Sequence, residues 1–172
     1  MAVSIACSRS ANPTKADLAA VIRILRYLLH SPSVKLTFHR QPSTKPAIIV
    51  YVDAAWSNAP KCRSRYGYGI CVNACPIMWE TRVTTMVCLS TAEAEHVASV
   101  RAAKTPLWLA SMCSELCGVP PQQVTMYEDN KACIQMTNNP VVSARNRHFA
   151  MRMWWIREQV ENGHVLSPPS IS

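Results

Sequence analysis

One apolar stretch near the middle of the sequence, residues 48–53, most constrains the fold. It reads Ile-Ile-Val-Tyr-Val-Asp, a run of β-branched and aromatic residues without polar alternation. Such a run is typical of a strand buried on both faces in the middle of an α/β sheet. Because ligands bind beyond the carboxyl ends of strands in open α/β sheets, Asp53 is a candidate site residue. The alternative is that Asp53 closes a turn through its own side chain.

The charge balance of the sequence favours a polyanionic partner. Lys and Arg number 18 against 10 Asp and Glu in 172 residues, which gives a formal net charge of +8. RNA and DNA fit this balance. A ribosomal or membrane-surface protein would show the same bias, so the charge permits nucleic-acid binding without proving it.

The cysteines favour a reducing environment. Eight are scattered along the chain, and none of their spacings matches a zinc site. We therefore expect free thiols in an intracellular, reducing compartment, with nucleus, cytoplasm and organelle left open. The sequence contains no secretory signal and no apolar stretch long enough to span a bilayer.

Helix and strand signals predict an N-terminal helix and linker ahead of one α/β domain. Thr14 and Asp17 have the spacing of a capping box and open a helix over about 14–30. The main domain is expected to begin at about Ala47, after a linker that contains prolines. Within it we expect strands at 48–53, 66–72, 76–80, 84–88 (a third antiparallel strand or a continuation), 124–127 and 164–166. We expect helices at 90–104, 130–136 and 149–161. A further helix is expected to restart at Thr105 and Pro106 and to end before Gly118.

Three carboxylates are expected to share one site. Asp53 and Asp129 each end a predicted strand, and parallel neighbouring strands would place them side by side. Of the two glutamates on the helix between them, Glu95 shares its face with small residues and points at the strands, whereas Glu93 lies on a mixed, wet face. Clustered carboxylates repel unless a cation offsets them, and Mg²⁺ is the natural candidate. Two alternatives are that Glu95 is an ordinary surface glutamate and that Asp129 caps the next helix.

Several blocks resemble, in order, the ribonuclease H domain of copia-type (Ty1/copia) retrotransposon Pol polyproteins. The main blocks are Tyr-Val-Asp-Ala at 51–54, Leu-Ser-Thr-Ala-Glu-Ala-Glu-His at 89–96 and Tyr-Glu-Asp-Asn at 127–130. Shorter ones are Arg-Tyr-Gly-Tyr at 65–68, Pro-Ile-Met-Trp at 76–79, Asn-Asn-Pro at 138–140, Arg-His at 147–148 and Ile-Arg-Glu at 156–158. Residues 12–14 and 23–28 resemble the tail of the preceding reverse transcriptase segment. The resemblance covers nearly the whole chain.

The resemblance implies a fold, a metal and a substrate class. The fold would be a mixed five-stranded sheet flanked by helices, with 1–46 as a tail derived from reverse transcriptase and 47–172 as the ribonuclease H-like domain. Asp53, Glu95 and Asp129 would hold Mg²⁺ or Mn²⁺ for hydrolysis of the RNA strand of an RNA–DNA hybrid. The expected phosphate contacts are Arg63, Arg65, Arg145 and Arg147.

The sequence also departs from the family. The family continues past the equivalent of Gly163 with a full strand and a helix that bears a fourth catalytic aspartate, which has no counterpart here. We therefore expect a truncated last strand, an incomplete second metal site and impaired catalysis. The favoured function is a nucleic-acid-binding or structural subunit of a larger ribonucleoprotein assembly, with protein subunits as further partners. The alternatives are an active metal-dependent endonuclease and a product without function.

Overall fold

A computed structural model describes residues 1–39, 46–138, 147 and 150–166. By its internal contacts the chain divides into two compact units, Met1–Phe38 and His39–Ser172. The sequence predicts a division after Pro46. The origin of the first unit in a polymerase stays a prediction.

The first unit contains two helices, α1 (Ala2–Cys7) and α2 (Lys15–His30). The capping box at the start of α2 forms as predicted. The Thr14 hydroxyl accepts from the Asp17 N–H, and the Asp17 carboxylate accepts from the Thr14 N–H at 2.9 Å. This pairing satisfies two backbone donors at the helix start, so the predicted helix over about 14–30 is confirmed.

The second unit is built on a mixed five-stranded sheet, which confirms the predicted α/β class. Its strand order is β3-β2-β1-β4-β5. The first three strands pair antiparallel, and β1, β4 and β5 pair parallel. The strands are β1 (Ile48–Ala59), β2 (Arg63–Val72), β3 (Cys75–Val83), β4 (Val124–Tyr127) and β5 (Val165–Leu166).

Helices flank this sheet. A short 3₁₀ turn, Pro60–Cys62, links β1 to β2, and the α-helices are α3 (Thr91–Cys117), α4 (Lys131–Asn138) and α5 (Ala150–Glu161). No helix among the described residues is long and apolar enough to cross a membrane. All eight cysteines are free thiols.

The predicted break at Pro106 is wrong, because α3 continues through it as one helix. Proline removes one helical N–H and crowds the preceding turn, which costs about 3 kcal/mol in a free helix. Here Pro106 is buried beside Leu109 and Ala110, and this packing offsets the lost hydrogen bond. The predicted end holds, since Gly118 adopts the left-handed conformation (φ 64°) just after the last turn.

The segment 84–88 is not a strand. The Thr84 hydroxyl accepts from the Ser64 N–H at 3.1 Å and donates to the Met86 carbonyl at 2.8 Å. Such local side-chain bonds compete with a strand ladder for the backbone groups. The antiparallel part of the sheet therefore ends with β3 at Val83.

Among the described residues, the main core cluster lies on the face of the sheet that α3 and α5 cover. Ile48, Val50 and Val52 of β1 are buried against α3 and α5, in a cluster that includes Ala98 and Ile156. The alternate residue Tyr51 is 49% exposed. The expectation that β1 is buried on both faces is therefore wrong, although its central place in the sheet is confirmed.

Candidate metal centre

The register of two parallel strands places Asp53 and Asp129 at one edge of the sheet. The pairing between β1 and β4 ends at Tyr51 opposite Tyr127. Each aspartate lies two residues beyond that last pair. The sequence predicts that Asp53 ends its strand, and this is wrong. Strand β1 continues to Ala59, and Asp53 pairs with Gly67 of β2. Only the side of β1 that faces β4 is open at this point.

The last β1–β4 pair is a stack of two tyrosines. The rings of Tyr51 and Tyr127 lie 5.4 Å apart between centroids, at an interplanar angle of 17°. Offset stacking of this kind stabilises a ring pair beyond the area it buries. The stack therefore fixes the two strands immediately before their aspartates.

Glu95 comes to the same place from the second turn of α3. Its small neighbours Ala94 and Ala98 are fully buried, which allows the helix to lie close to the sheet. The Glu95 carboxylate accepts a hydrogen bond from the Ala54 backbone N–H, directly after Asp53 in β1. Its Oε2 is buried and has no hydrogen-bond partner in the part of the chain that the structure describes.

The three carboxylates form one cluster. One oxygen from each of Asp53, Glu95 and Asp129 lies within 4.8 Å of the other two. Glu95 is 6% exposed, whereas both aspartates are exposed. The cluster therefore has a buried base on α3 and an open side at the sheet edge.

The electrostatics of the cluster are unfavourable without a counter-charge. Burial, followed by the charges of Glu128, Asp53 and Asp129, raises the pKa of Glu95 to about 8. A buried carboxylate oxygen without a donor is costly unless a proton or a cation compensates it. Three converging carboxylate oxygens are the donor set that hard divalent cations such as Mg²⁺ prefer, so the residues present fit such an ion.

Comparison with known proteins identifies the relatives of the chain. No family model matches it. It is 32% identical over 152 residues to the retrovirus-related Pol polyprotein from transposon TNT 1-94 of Nicotiana tabacum, and this match covers 88% of the chain and 11% of the polyprotein. It is 30% identical to the Pol polyprotein from transposon RE1 of Arabidopsis thaliana, and this match covers 88% of the chain and 10% of that polyprotein. The chain thus spans about a tenth of the length of these curated relatives.

Two solved structures of one ribonuclease H share the fold of this chain. LC11-RNase H1, isolated from compost by a metagenomic approach, superposes with a TM-score of 0.52 and 13% identity over 72% of this chain and 83% of that one. The same protein in complex with an RNA/DNA hybrid superposes with a TM-score of 0.51 and 14% identity, over 71% of this chain and 85% of that one. The chain is related to copia-type Pol polyproteins and has the ribonuclease H fold. The resemblance seen in the sequence is confirmed.

In this Pol-related chain, sequence reasoning missed one buried acid next to the cluster. Glu128 is 3% exposed. It accepts from the Ser99 hydroxyl of α3 at 2.8 Å and from the Asn130 N–H at 3.1 Å. Burial raises its pKa, and the two hydrogen bonds oppose that shift. A signal was present, since Glu128 continues the period-two series of Val124 and Met126, which both face the core.

The two alternatives for the site acids do not hold. Asn130, not Asp129, caps α4, because its side-chain oxygen accepts from the N–H groups of Ala132 and Cys133 at 3.0 and 3.1 Å. Glu95 is buried and is no surface glutamate.

The expectation that Glu93 lies on a wet face of the helix is wrong. Glu93 is buried, and its carboxylate accepts from the Leu89 N–H at 2.7 Å, just before α3 begins. This local bond at the helix start removes its side chain from solvent.

The four predicted phosphate contacts have different surroundings. Arg147 is exposed and Arg63 is half-buried. Arg65 is 6% exposed, within β2. Arg145 lies outside the described residues. Contact of these arginines with nucleic acid stays a prediction.

Proposed function

We propose that this chain is a nucleic-acid-binding ribonuclease H-like domain whose three carboxylates bind Mg²⁺ or Mn²⁺. The observation that carries the proposal is the cluster of Asp53, Glu95 and Asp129, with one oxygen of each within 4.8 Å of the others. The buried Oε2 of Glu95 supports the proposal, because it has no hydrogen-bond partner among the described residues and such an oxygen needs a proton or a cation.

The three side chains have different tasks in this proposal. Glu95 is held by the Ala54 N–H and anchors the buried side of the site. Asp53 and Asp129 are exposed and leave the open side accessible to a phosphodiester. When bound, a divalent cation supplies positive charge that polarises a phosphoryl oxygen.

The nucleic-acid part of the proposal rests on charge and on fold. The net charge of +8 favours a polyanion. LC11-RNase H1, which shares the fold, has been solved with an RNA/DNA hybrid. We therefore take an RNA–DNA hybrid as the ligand, held by phosphate contacts that do not depend on sequence. Arg147, one of the predicted contacts, is exposed.

Hydrolysis of the RNA strand of the hybrid is the second candidate function. It is favoured by the exposure of Asp53 and Asp129, which leaves two carboxylates within reach of a bound strand. Impaired catalysis and a structural role among protein subunits stay predictions.

Hybrid binding and hybrid cleavage separate the two candidates. The full chain is incubated with a labelled RNA–DNA hybrid in Mg²⁺, in Mn²⁺ and in EDTA, beside Asp53→Asn and the control Glu115→Gln, an exposed acid near the end of α3. We expect the chain to bind the hybrid, and any cleavage to require the cation and to vanish in Asp53→Asn but not in the control. If the folded chain did not bind the hybrid in any of the three buffers, the proposal would be overturned. Binding without cleavage would remove only the second candidate.

A further inference from the structure

A polar groove lies between α3 and α5, apart from the carboxylate cluster. Its volume is about 230 Å³, and three cationic side chains line it: Arg101 and Lys104 from α3 and Arg152 from α5. The groove is completed by Trp155 and by apolar side chains that include Val100. None of the described residues that line it is acidic.

The groove faces away from the candidate metal centre. Lys104 follows Glu95 by nine residues on the same helix, which is two and a half turns and so places the two side chains on opposite sides of α3. Arg101 and Lys104 are three residues apart and share the groove side. A ligand in the groove would therefore not occupy the carboxylate cluster.

The three cations have no carboxylate to neutralise them within the described part of the chain. The ion pairs of the described residues involve Arg9, Arg82 and Arg157 instead. The Lys104 ammonium lies 5.5 Å from the centroid of the Trp155 ring. This cation–π contact holds the charge above the groove without cancelling it. The Arg152 guanidinium donates to the Met86 sulfur at 3.2 Å, an uncharged acceptor.

We propose that this groove binds the sugar–phosphate backbone of a nucleic-acid strand, as a second contact separate from the carboxylate site. Three cations that line one groove and form no ion pair with another described residue create a local positive potential that attracts a polyanion. Two of them, Arg101 and Lys104, are exposed and able to reach phosphates outside the groove. The half-buried Trp155 packs against the core and carries Lys104 on its ring, so its role is to position the ammonium. Phosphate contacts of this kind give affinity without sequence preference.

The inference rests on the proposed nucleic-acid binding and is tested by the salt dependence of that binding. The probe is a fluorescein-labelled single-stranded RNA, titrated with the full chain in EDTA so that no cation occupies the carboxylate cluster. The groove variant is Arg101→Gln/Lys104→Gln. The control is Arg26→Gln/Lys35→Gln, which removes the same charges from the first unit, where both residues are exposed.

The groove variant should bind less tightly and depend less on salt. Each phosphate contact to a single strand contributes about 0.7 to the slope of log affinity against log salt, so two lost contacts lower it by about 1.4. Over a fourfold rise in salt, the unchanged chain should lose about sevenfold more affinity than the groove variant. The control should keep the slope of the unchanged chain.

Each other outcome has a definite meaning. Equal slopes for the groove variant and the control, with binding intact, would overturn the groove and leave the proposed function standing. No RNA or hybrid binding by the unchanged chain would overturn both. A final comparison uses two competitors of equal charge, polyglutamate and unlabelled RNA. If polyglutamate displaced the labelled RNA equally effectively, the groove would be a site for acidic protein segments and the nucleic-acid assignment would be wrong.

Discussion

The Ser99 hydroxyl of α3 donates a 2.8 Å hydrogen bond to the Glu128 carboxylate just after β4, and both residues are buried. Ser99 lies one turn after Glu95, and Glu128 immediately precedes Asp129. This bond therefore joins the two elements that supply two of the three clustered carboxylates. It sets the distance between α3 and the end of β4.

Removal of this bond should loosen the site and destabilise the fold. Ser99→Ala leaves a buried carboxylate oxygen without its donor, which costs about 1–3 kcal/mol in the free energy of unfolding. Because Glu95 and Asp129 are then less well fixed, Mn²⁺ affinity should fall as well. Urea unfolding and Mn²⁺ titration measure the two effects. The control is Ser111→Ala on the same helix, whose hydroxyl only donates to the Leu107 carbonyl at an exposed position; equal effects from both variants would contradict the role of Ser99.

Neutralisation of Glu95 should have opposite effects with and without a cation. Glu95→Gln removes a charge that the neighbouring carboxylates repel, so the metal-free chain should melt at the same or a higher temperature near pH 8. The same change removes a ligand, so the rise in melting temperature on addition of Mn²⁺ should be lost. Thermal unfolding with and without Mn²⁺ gives both values. A Mn²⁺-induced rise in Glu95→Gln equal to that of Glu115→Gln would count against the site.

The contribution of Glu95 to the stability of the metal-free chain should be lost as the pH rises from about 4.5 to about 8. The pKa of Glu95 is raised to about 8 in the fold from a usual value of 4.5, so the folded chain binds more protons than the unfolded chain in that interval. Its stabilising contribution is complete below the unfolded pKa and disappears as the pH passes the folded pKa. The groups that face it are Asp53, Glu128 and Asp129. The unfolding free energy of the unchanged chain minus that of Glu95→Gln should fall steadily across this pH interval. A constant difference would refute the assignment.

The tyrosine stack should act as one unit. Truncation of either Tyr51 or Tyr127 to Ala should destabilise the chain, and a double-mutant cycle should give a coupling of about 0.5–1.5 kcal/mol, as expected for an aromatic pair in contact. Urea unfolding of the two single variants and the double variant measures it. Strictly additive losses would show that the stack does not tie β1 to β4.

Local signals in the sequence predicted the elements that depend on neighbouring residues. The capping box at Thr14 and the glycine after α3 are examples, because each satisfies backbone groups within a few residues. The predicted helix break at Pro106 is wrong because burial of Pro106 in the tertiary fold, which local sequence does not show, keeps α3 continuous. The segment 84–88 was misjudged because the Thr84 side chain bonds to a distant strand and to its own loop.

The candidate site was predictable to the extent that it follows from strand register. Parallel pairing of β1 with β4 brings Asp53 and Asp129 to one edge, and helical spacing selects Glu95 over Glu93. The metal role of all three stays a prediction. Helical periodicity does not show the burial of Glu93 or its hydrogen bond from the Leu89 N–H.

Direct titration of the full chain with Mn²⁺ tests the central claim most directly. The change in heat is followed by isothermal calorimetry for the unchanged chain, for Asp129→Asn and for the exposed-acid control Glu115→Gln. We expect a saturable site in the unchanged chain and the control, with affinity at least tenfold weaker in Asp129→Asn, roughly the loss of 1.4 kcal/mol of binding free energy. Equal Mn²⁺ affinity in all three, with the fold intact, would contradict it.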